Sequence, residues 1–176
     1  LEADLFQLAM SKEAEPLMDA VKKHIADNVE PIQEEFSALE KEKEDRWSWH
    51  PKQLELLEGA KQKAKDSGLW NFFLPDTEYG QGLNNLDYAY IAAELGKFPL
   101  ASESLNCSAP DTGNMEVLER VGTPDQKKQW LEPLLNGEIR SAYAMTEPGL
   151  PSSDAKKIST RAVLDGDDWV NNGEKF

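Results

Sequence analysis

Cysteine and histidine are scarce in this chain of 176 residues, which has one cysteine and two histidines. The single cysteine, Cys107, excludes an intrachain disulfide framework and indicates a reducing compartment. We expect a buried thiol there, because no histidine lies near it in the sequence to activate a nucleophile. His24 and His50 lack carboxylate or cysteine companions at ligand spacing, which argues against a metal site and an acid/base role. We predict that His24 is a solvated helix residue.

Long apolar runs and an excess of positive charge are also missing. No window approaches the roughly 20 apolar residues that a spanning helix requires, so we expect no membrane span. The start, Leu1-Glu-Ala-Asp4, shows no basic segment followed by an apolar run, so no signal peptide is visible. The formal net charge of −14 argues against nucleic acid as a partner, although clustered N–H donors could still bind a small anionic ligand. We therefore expect a soluble, intracellular protein.

Apolar residues at steps of three and four predict that the first part of the chain is helical. Residues 17–39 carry such a stripe, and Pro31 should end or kink this helix. A second helix should start at Pro51, with His50 as a candidate cap, and stop at Gly68. Proline thus marks one helix boundary and one helix start.

The middle of the chain alternates irregular segments with helices. Residues 68–75 are apolar but short, which predicts buried irregular chain with Phe72, Phe73 and Leu74 in the core. A helix is predicted over residues 86–95, where Gly96 terminates it.

Two further helices complete the helical part. One contains Met115 and ends at Gly122, and the next starts at Thr123, which opens a capping box. Pro133 should end this last helix early. Its predicted buried stripe is Trp130, Leu131, Leu134 and Leu135. We expect all five tryptophans to act as core anchors or edge packing: Trp47, Trp49, Trp70, Trp130 and Trp169.

The pattern changes from helical to β character after Gly137. Three segments have strand character: 141–146, 159–164 and 168–171. Asp165-Gly166-Asp167 separates the last two as a hairpin turn. The predicted fold class is mainly α followed by β, with an all-α helical domain over residues 1–138 and the beginning of an antiparallel β domain over 139–176.

The segment from Ser141 to Asp154 joins a predicted strand to a turn rich in proline, glycine and serine. Backbone N–H groups and the hydroxyls of Thr146, Ser152 and Ser153 could bind a flavin ring and a diphosphate. The alternative is a plain strand followed by a surface loop, since short turns of this composition are common. The residues alone leave both interpretations open, with the surface loop the commoner case.

Small residues begin the helix that contains Met115, in the sequence Ser108-Ala-Pro-Asp-Thr-Gly-Asn-Met115. They could form the wall of a ligand channel, because small side chains leave room for a ligand. The alternative is that Asp111 or Thr112 simply caps the helix. On this pattern alone, capping is the commoner explanation.

Taken in order, these motifs resemble those of the acyl-CoA dehydrogenases. The middle-domain signature of that family is similar to Ala144-Met-Thr-Glu-Pro148 with Ser152-Ser-Asp154, Asp165-Gly-Asp-Asp-Trp-Val170 and Asn172-Gly-Glu-Lys175. Further pieces in the family's order extend the resemblance over essentially the whole chain: Gly68-Leu-Trp70, Leu74-Pro75, Tyr79-Gly-Gln-Gly82, Glu94-Leu-Gly96, Gly122-Thr-Pro-Asp-Gln126, Trp130-Leu-Glu-Pro-Leu-Leu135 and Gly137-Glu138. Residues 106–118 are similar to a subgroup that acts on long or branched acyl chains. Each piece is weak alone, but their combined order is specific.

The resemblance implies a helical domain, a small antiparallel β-barrel and a C-terminal four-helix bundle, the last absent from this chain. It implies FAD as cofactor. The residues that would border the flavin ring are Tyr143, Ala144, Met145 and Thr146, with Thr146 closest to the reactive edge. Ser152 and Ser153 would reach the diphosphate.

The implied substrate is an acyl-CoA thioester. Ser153 would reach its thioester arm, and the acyl channel would be flanked by Asn106, Ser108 and Asn114. The implied reaction is α,β-dehydrogenation, with electrons passed to an electron-transferring flavoprotein. The resemblance also implies a homodimer or homotetramer, located in the cytoplasm of a bacterium or in the mitochondrial matrix or peroxisome of a eukaryote.

Two departures from the family pattern stand out. Gly149-Leu-Pro-Ser-Ser-Asp154 is one residue longer than the common Gly-Ala-Gly-Ser-Asp, which fits the same subgroup but leaves the phosphate contacts open. The family's catalytic base is a glutamate of the C-terminal bundle, so no residue up to Phe176 is assigned as catalytic, and we expect the chain to be part of a longer protein. The alternatives are an acyl-CoA oxidase-like flavoenzyme on the same fold and a non-catalytic helical module that has lost the site.

Overall fold

The computed structural model describes residues 8–176 and separates the chain into two units, one ending at Arg140 and the other spanning Ser141–Phe176. The first unit is helical, and the second contains a two-stranded antiparallel sheet. The predicted order of a mostly helical part followed by antiparallel β structure is therefore confirmed. Within the described residues, no helix combines the length and the apolar character needed to cross a membrane.

The α-helices of the first unit follow one another along the chain, with one long irregular connection between the third and the fourth. They are α1 (Glu15–His24), α2 (Glu30–Ala38), α3 (Pro51–Asp66), α4 (Asn85–Leu95), α5 (Ala101–Ser104), α6 (Asp111–Val121), α7 (Pro124–Gln126) and α8 (Glu132–Asn136). Two π-helical segments connect α1 to α2 and α7 to α8, and they are Ile25–Val29 and Lys127–Leu131. A 3-10 turn, Leu39–Glu42, follows α2.

The helical path continues through both interior prolines, so the predicted early end at Pro133 is wrong and Pro31 does not end its helix either. In each case a π-helical turn comes just before the proline. Glu30 N donates to Ile25 O, and Glu132 N donates to Lys127 O, each five residues back. Because this wider turn shifts the hydrogen-bond ladder by one residue, the missing proline N–H is accommodated without breaking the helix.

Two predicted helix starts are confirmed. Lys52 N donates to His50 Nδ1 and His50 N donates to Gln53 Oε1, both at 3.2 Å, which forms a reciprocal cap at the start of α3. Thr123 and Gln126 form the same arrangement at α7. Each cap satisfies backbone N–H groups that the first helical turn leaves without partners.

The core of the first unit is built from apolar side chains of α1 to α6, of the irregular segment before α4, and of α8. The largest fully buried apolar side chains are Val21, Val29, Phe72, Leu74, Ile91, Leu95, Leu105, Met115 and Leu131. Residues 69–84 form neither helix nor strand, and Phe72, Phe73 and Leu74 in them are buried, as predicted.

The prediction that the tryptophans are core anchors or edge packing is confirmed for Trp70 and Trp49, whereas the other three are not among the described residues of the hydrophobic core. Trp47, Trp130 and Trp169 are 80%, 48% and 65% exposed. Trp130 lies in the second π-helical segment, where hydrogen bonds span five residues instead of four, which shifts it from the stripe that a regular helix would give. Trp70 does pack against the core, and Trp49 packs its ring edge against Phe36 at 5.8 Å between centroids.

His24 is buried, at 3% exposed, so its prediction as a solvated residue is wrong. It lies three residues after Val21, on the core face of α1. Its Nε2 is 3.1 Å from the Ser104 hydroxyl, and its Nδ1 is 3.3 Å from the Asn28 amide nitrogen. Burial, and then the charge of Lys63, lower its pKa, so the neutral ring is favoured.

The second unit contains strands β1 (Arg161–Asp165) and β2 (Asp168–Asn172), which pair in the register Asp165 opposite Asp168. The turn between them is Gly166-Asp167, and Gly166 has a φ of +64°, so the predicted hairpin is confirmed. The predicted strand over 141–146 is wrong, because these residues form no ladder with another described strand. The strand predicted over 159–164 begins two residues late, at Arg161.

Candidate functional site

The residues predicted to border a flavin ring, Tyr143–Thr146, form a segment outside helix and strand at the start of the second unit. The side chains of Tyr143, Ala144 and Thr146 are exposed, and Met145 is half-buried. Within residues 8–176, none of these four backbone N–H groups donates a hydrogen bond. The segment therefore presents a row of N–H donors and one hydroxyl that a ligand can use.

The turn after this segment is held by the Ser152 hydroxyl. Ser152 is buried, and its Oγ accepts a hydrogen bond from Glu147 N at 2.7 Å. The same oxygen lies 3.4 Å from Leu150 O, to which it can donate. Gly149 has a φ of +73°, a conformation that favours glycine, and it reverses the chain between these residues. Ser153, the next residue, is exposed.

The carboxylate of Glu147 is the centre of the second unit's hydrogen bonding. It is buried, and it accepts bonds from the N–H and hydroxyl of Ser159 at 2.7 and 2.8 Å. It also accepts the N–H and hydroxyl of Thr160, at 2.9 and 2.5 Å, and the Lys175 ammonium at 2.9 Å. The Thr160 hydroxyl, the Ser159 N–H and Lys175 hold the pKa of Glu147 far below its ordinary value.

These bonds also explain why β1 begins late. The backbone N–H groups of Ser159 and Thr160 donate to the Glu147 carboxylate, so they are not available to a neighbouring strand. The ladder therefore starts at Arg161, which pairs with Asn172. Sequence reasoning assigned no role to Glu147 or Lys175, although both lie inside the motifs that carry the family resemblance.

The donors of this segment can be compared with what FAD needs. The N–H row and the Thr146 hydroxyl suit the oxygen and nitrogen acceptors of a flavin ring, and the exposed Ser153 hydroxyl suits a phosphate oxygen. Ser152 suits a phosphate less well, since its oxygen already takes part in the turn. The segment thus fits the group, with Ser153 better placed than Ser152, and the roles of all six residues stay predictions.

The residues predicted to flank an acyl channel lie in the first unit, around the start of α6. Asn106 has a φ of +57°, and its amide donates to Asn71 Oδ1 at 2.7 Å and to Leu134 O at 3.1 Å. Its side chain therefore ties together two distant segments of the unit. Ser108 and Asn114 are half-buried. Their assignment to an acyl channel stays a prediction.

Helix α6 starts differently from the capping alternative, which is wrong for both candidates. Pro110 is the N-cap residue and provides no side-chain acceptor, while Asp111 is the first residue of the helix. The buried Asp111 carboxylate instead accepts a bond from Arg140 Nε at 2.7 Å. The start of α6 is thus fixed by an ion pair rather than by a cap.

Glu103 links this ion pair to α3. Both terminal guanidinium nitrogens of Arg140 bond to the Glu103 carboxylate, and Lys61 Nζ of α3 lies 3.2 Å from it. Burial opposes ionisation of Glu103, but the bonds and charges of Arg140 and Lys61 lower its pKa below the ordinary value. The network joins α3, α5 and α6 at the end of the first unit.

Cys107 is buried, which confirms the prediction of a buried thiol. Burial raises its pKa to about 12, and burial likewise raises the pKa of the neighbouring Tyr88 hydroxyl. The thiolate is therefore scarce at neutral pH, and Cys107 is not an activated nucleophile.

Two other features of the described chain bear on a possible site, its metal-ligating side chains and its cavities. Among residues 8–176, no group of three or more His, Cys, Asp or Glu side chains could hold a metal ion. A cavity of about 400 Å³ is lined in part by Trp49 and His50, and none of the predicted site residues lines it.

The fold and the turn agree with what comparison with known proteins shows. The family described as "Acyl-CoA dehydrogenase, N-terminal domain" matches residues 11–138. Acyl-CoA dehydrogenase family member 10 of Mus musculus is 46% identical over 173 residues, and family member 11 of Homo sapiens is 42% identical over 169 residues. These alignments cover 92% and 94% of this chain. The chain therefore belongs to the acyl-CoA dehydrogenase family.

Solved structures show the same relationship in three dimensions. A Mycobacterium abscessus protein assigned as an acyl-CoA dehydrogenase superposes on 95% of this chain with a TM-score of 0.86 and 44% identity. An acyl-CoA dehydrogenase from Geobacillus kaustophilus superposes on 94% of the chain with a TM-score of 0.61 and 27% identity. The present chain spans 42% and 39% of those two proteins, and 16% and 21% of the mouse and human relatives.

Proposed function

We propose that this chain is the N-terminal part of an FAD-dependent acyl-CoA dehydrogenase that desaturates an acyl-CoA thioester and passes the electrons to an electron-transferring flavoprotein. The observation that carries the proposal is the N–H row of Tyr143–Thr146, whose Met145 and Thr146 carbonyls are bonded by Lys175 and Phe176, in a chain of this family. A row of fixed donors is the arrangement that binds and orients a flavin ring.

The chemistry divides between the cofactor and the protein. When bound, FAD supplies the two-electron acceptor for the hydride lost from the β carbon, while a base takes the α proton and a carbon–carbon double bond remains. No residue of this chain is assigned as that base. The N–H groups of Tyr143–Thr146 and the Thr146 hydroxyl donate to the flavin ring, and Ser153 donates to a phosphate or to the thioester arm.

In the first unit, we assign Ser108 and Asn114 to the wall of the acyl channel. Asn106 supports this wall without contacting the acyl chain through its amide, because that amide is already bonded to Asn71 and Leu134. Gly113, between Ser108 and Asn114 in sequence, has no heavy atom within 4 Å of where a Cβ would stand. An open surface of this kind leaves space for an apolar chain.

The test is anaerobic reduction of the purified full-length protein by a series of acyl-CoA thioesters. We expect a bound flavin whose absorbance bleaches on addition of substrate, and reoxidation that an electron-transferring flavoprotein accelerates. Rapid reoxidation by oxygen with release of peroxide would instead support an acyl-CoA oxidase-like enzyme and contradict the dehydrogenase proposal. A protein that cannot be loaded with FAD would instead favour a non-catalytic module.

The binding turn itself is tested by two neighbouring serines. We expect Ser153→Ala to weaken FAD binding by about 10-fold or more, the effect of one lost hydrogen bond to a charged group. Ser152→Ala should lower thermal stability, because Glu147 N loses its acceptor. Equal FAD affinity in Ser153→Ala and the unmodified protein would remove Ser153 from the site.

A further inference from the structure

Both peptide groups that flank Thr146 are fixed by residues from the end of the second unit or from the turn. Lys175 Nζ donates to Met145 O at 3.1 Å, which fixes the peptide between Met145 and Thr146. Phe176 N donates to Thr146 O at 3.2 Å, and the N–H of the same peptide donates to Ser152 Oγ at 2.7 Å. Thr146 is the residue that the proposed function places closest to the reactive edge of the flavin.

Lys175 determines the direction of a donor that it does not contact. A trans peptide is planar, and its N–H points opposite to its C=O. By binding Met145 O, the ammonium orients the plane of that peptide, and the Thr146 N–H then points away from Lys175. That N–H donates to no described residue. Lys175 thus orients the Thr146 N–H, a donor available to a ligand, through the carbonyl on the opposite side of the same peptide.

The lysine is itself held in place. Its ammonium bonds Glu147 Oε1 at 2.9 Å, and the Glu147 carboxylate is fixed in turn by Ser159 and Thr160. The chain just before Lys175 passes close to Thr160. Gly173 allows this, because a Cβ at that position would overlap the side chain of Thr160. A rigidly paired ammonium restrains its carbonyl partner better than a mobile surface lysine would.

We propose that Lys175 is a positioning residue for the flavin site, which aims the N–H and hydroxyl of Thr146 at the flavin ring, and that Glu147 serves as its fixed counter-ion. This inference rests on the proposed function and adds two residues to the site. Neither side chain needs to contact the cofactor. Both act through the peptide groups on either side of Thr146.

The test compares full-length variants at position 175. Lys175→Met removes the ammonium but keeps a long chain, Lys175→Arg keeps the charge, and Lys156→Met removes an exposed lysine of the same unit as a control. The measurements are the FAD dissociation constant by flavin fluorescence, the flavin reduction potential, and the rate of flavin reduction as a function of acyl-CoA concentration.

We expect Lys175→Met to weaken FAD binding and to slow flavin reduction, each by about 10-fold or more, which is typical of losing a charge-assisted hydrogen bond. The acyl-CoA concentration for half-maximal rate should change less than about 2-fold, and the reduction potential should shift. Lys175→Arg should recover part of both effects, and Lys156→Met should match the unmodified protein. If Lys175 only stabilised the fold, its replacement would lower thermal stability without separating the effects on FAD affinity and reduction rate from the effect on the half-maximal acyl-CoA concentration.

Two outcomes overturn the inference. One is Lys175→Met with unchanged FAD affinity, potential and reduction rate. The other is Lys175→Arg with full loss and no recovery while the folded state is retained by circular dichroism. If Lys175→Met does not fold, Glu147→Gln provides the second variant, and it should reproduce the loss of FAD affinity. An unmodified protein without FAD or turnover would defeat the proposed function itself, which separates the two failures.

Discussion

Arg140 forms a two-point ion pair with Glu103, in which both terminal guanidinium nitrogens bond to the two carboxylate oxygens. Arg140 is the last residue of the first unit, and Glu103 lies in the short helix α5. The pair therefore fixes the end of this unit to its interior. Because Lys61 and Asp111 join the same network, α3 and the start of α6 are fixed with it.

The first prediction concerns this network. Glu103→Ala should lower the free energy of unfolding by about 1–2 kcal/mol, because the buried Lys61 and the exposed Arg140 lose their shared carboxylate, and solvent screens the Arg140 part of that loss. The control is Glu58→Ala, which removes an exposed partner of the same lysine and should cost less than about 0.5 kcal/mol. Denaturant unfolding of the two variants measures the difference, and equal effects would show that the network adds nothing.

The second prediction is a pH dependence at His24. Its folded-state pKa lies below the ordinary value of about 6.5, so the unfolded chain binds the proton more readily. The stabilising contribution is present above the ordinary pKa and is lost as the pH falls through and below it. His24 faces Ser104, Asn28, Lys63 and Asp27, and within residues 8–176 no carboxylate bonds to its ring.

His24→Gln isolates this contribution, because glutamine keeps hydrogen-bonding capacity but does not titrate in this range. Between pH 7 and pH 5, thermal stability should fall more steeply in the unmodified protein than in the variant. Parallel stability curves for the two proteins would show that the ring is not buried in the neutral form.

The third prediction uses the single thiol as a probe of local opening. With a pKa of about 12, Cys107 has roughly one thiolate in ten thousand thiols at pH 8. A thiol-specific disulfide reagent should therefore modify the native protein very slowly and the denatured protein at once. Fast modification under native conditions would mean that the segment between α5 and α6 opens readily.

The fourth prediction concerns glycine at a helix end. Gly137 ends α8 with a φ of +72°, and an added Cβ would lie 3.1 Å from the Trp70 ring. Gly137→Ala should destabilise the protein by about 1–2 kcal/mol. Gly59→Ala in the interior of α3, where a Cβ meets no atom within 4 Å, should instead stabilise it by about 0.5–1 kcal/mol. Thermal shifts of the same sign would contradict this assignment.

Local signals were sufficient for several elements of the fold. The cap at His50, the capping box at Thr123 and the Gly166 hairpin were predicted correctly, because the chemistry of each lies within four consecutive residues. The buried Phe72–Leu74 segment was also predicted from its composition. Such features depend on neighbouring side chains and on backbone preferences that the sequence displays directly.

Other errors came from assuming regular periodicity. The π-helical turns before Pro31 and Pro133 change the number of residues per turn, so a stripe counted at 3.6 residues placed Trp130 inside. The burial of His24 depends on Ser104, which lies 80 residues away in sequence. No pattern in the sequence around His24 indicates that the folded core contains a polar partner for its ring.

The amino-acid sequence by itself determined the order of helices and hairpin, the capped helix starts and the family, because these depend on short-range chemistry and on motif order. Only the tertiary structure decided how the predicted flavin segment is held. Glu147 gathers Ser159, Thr160 and Lys175 from residues 12 to 28 positions away, and a buried carboxylate is stable only where several donors converge on it. That convergence is a property of the folded chain, and it brings Lys175 to the residues around Thr146.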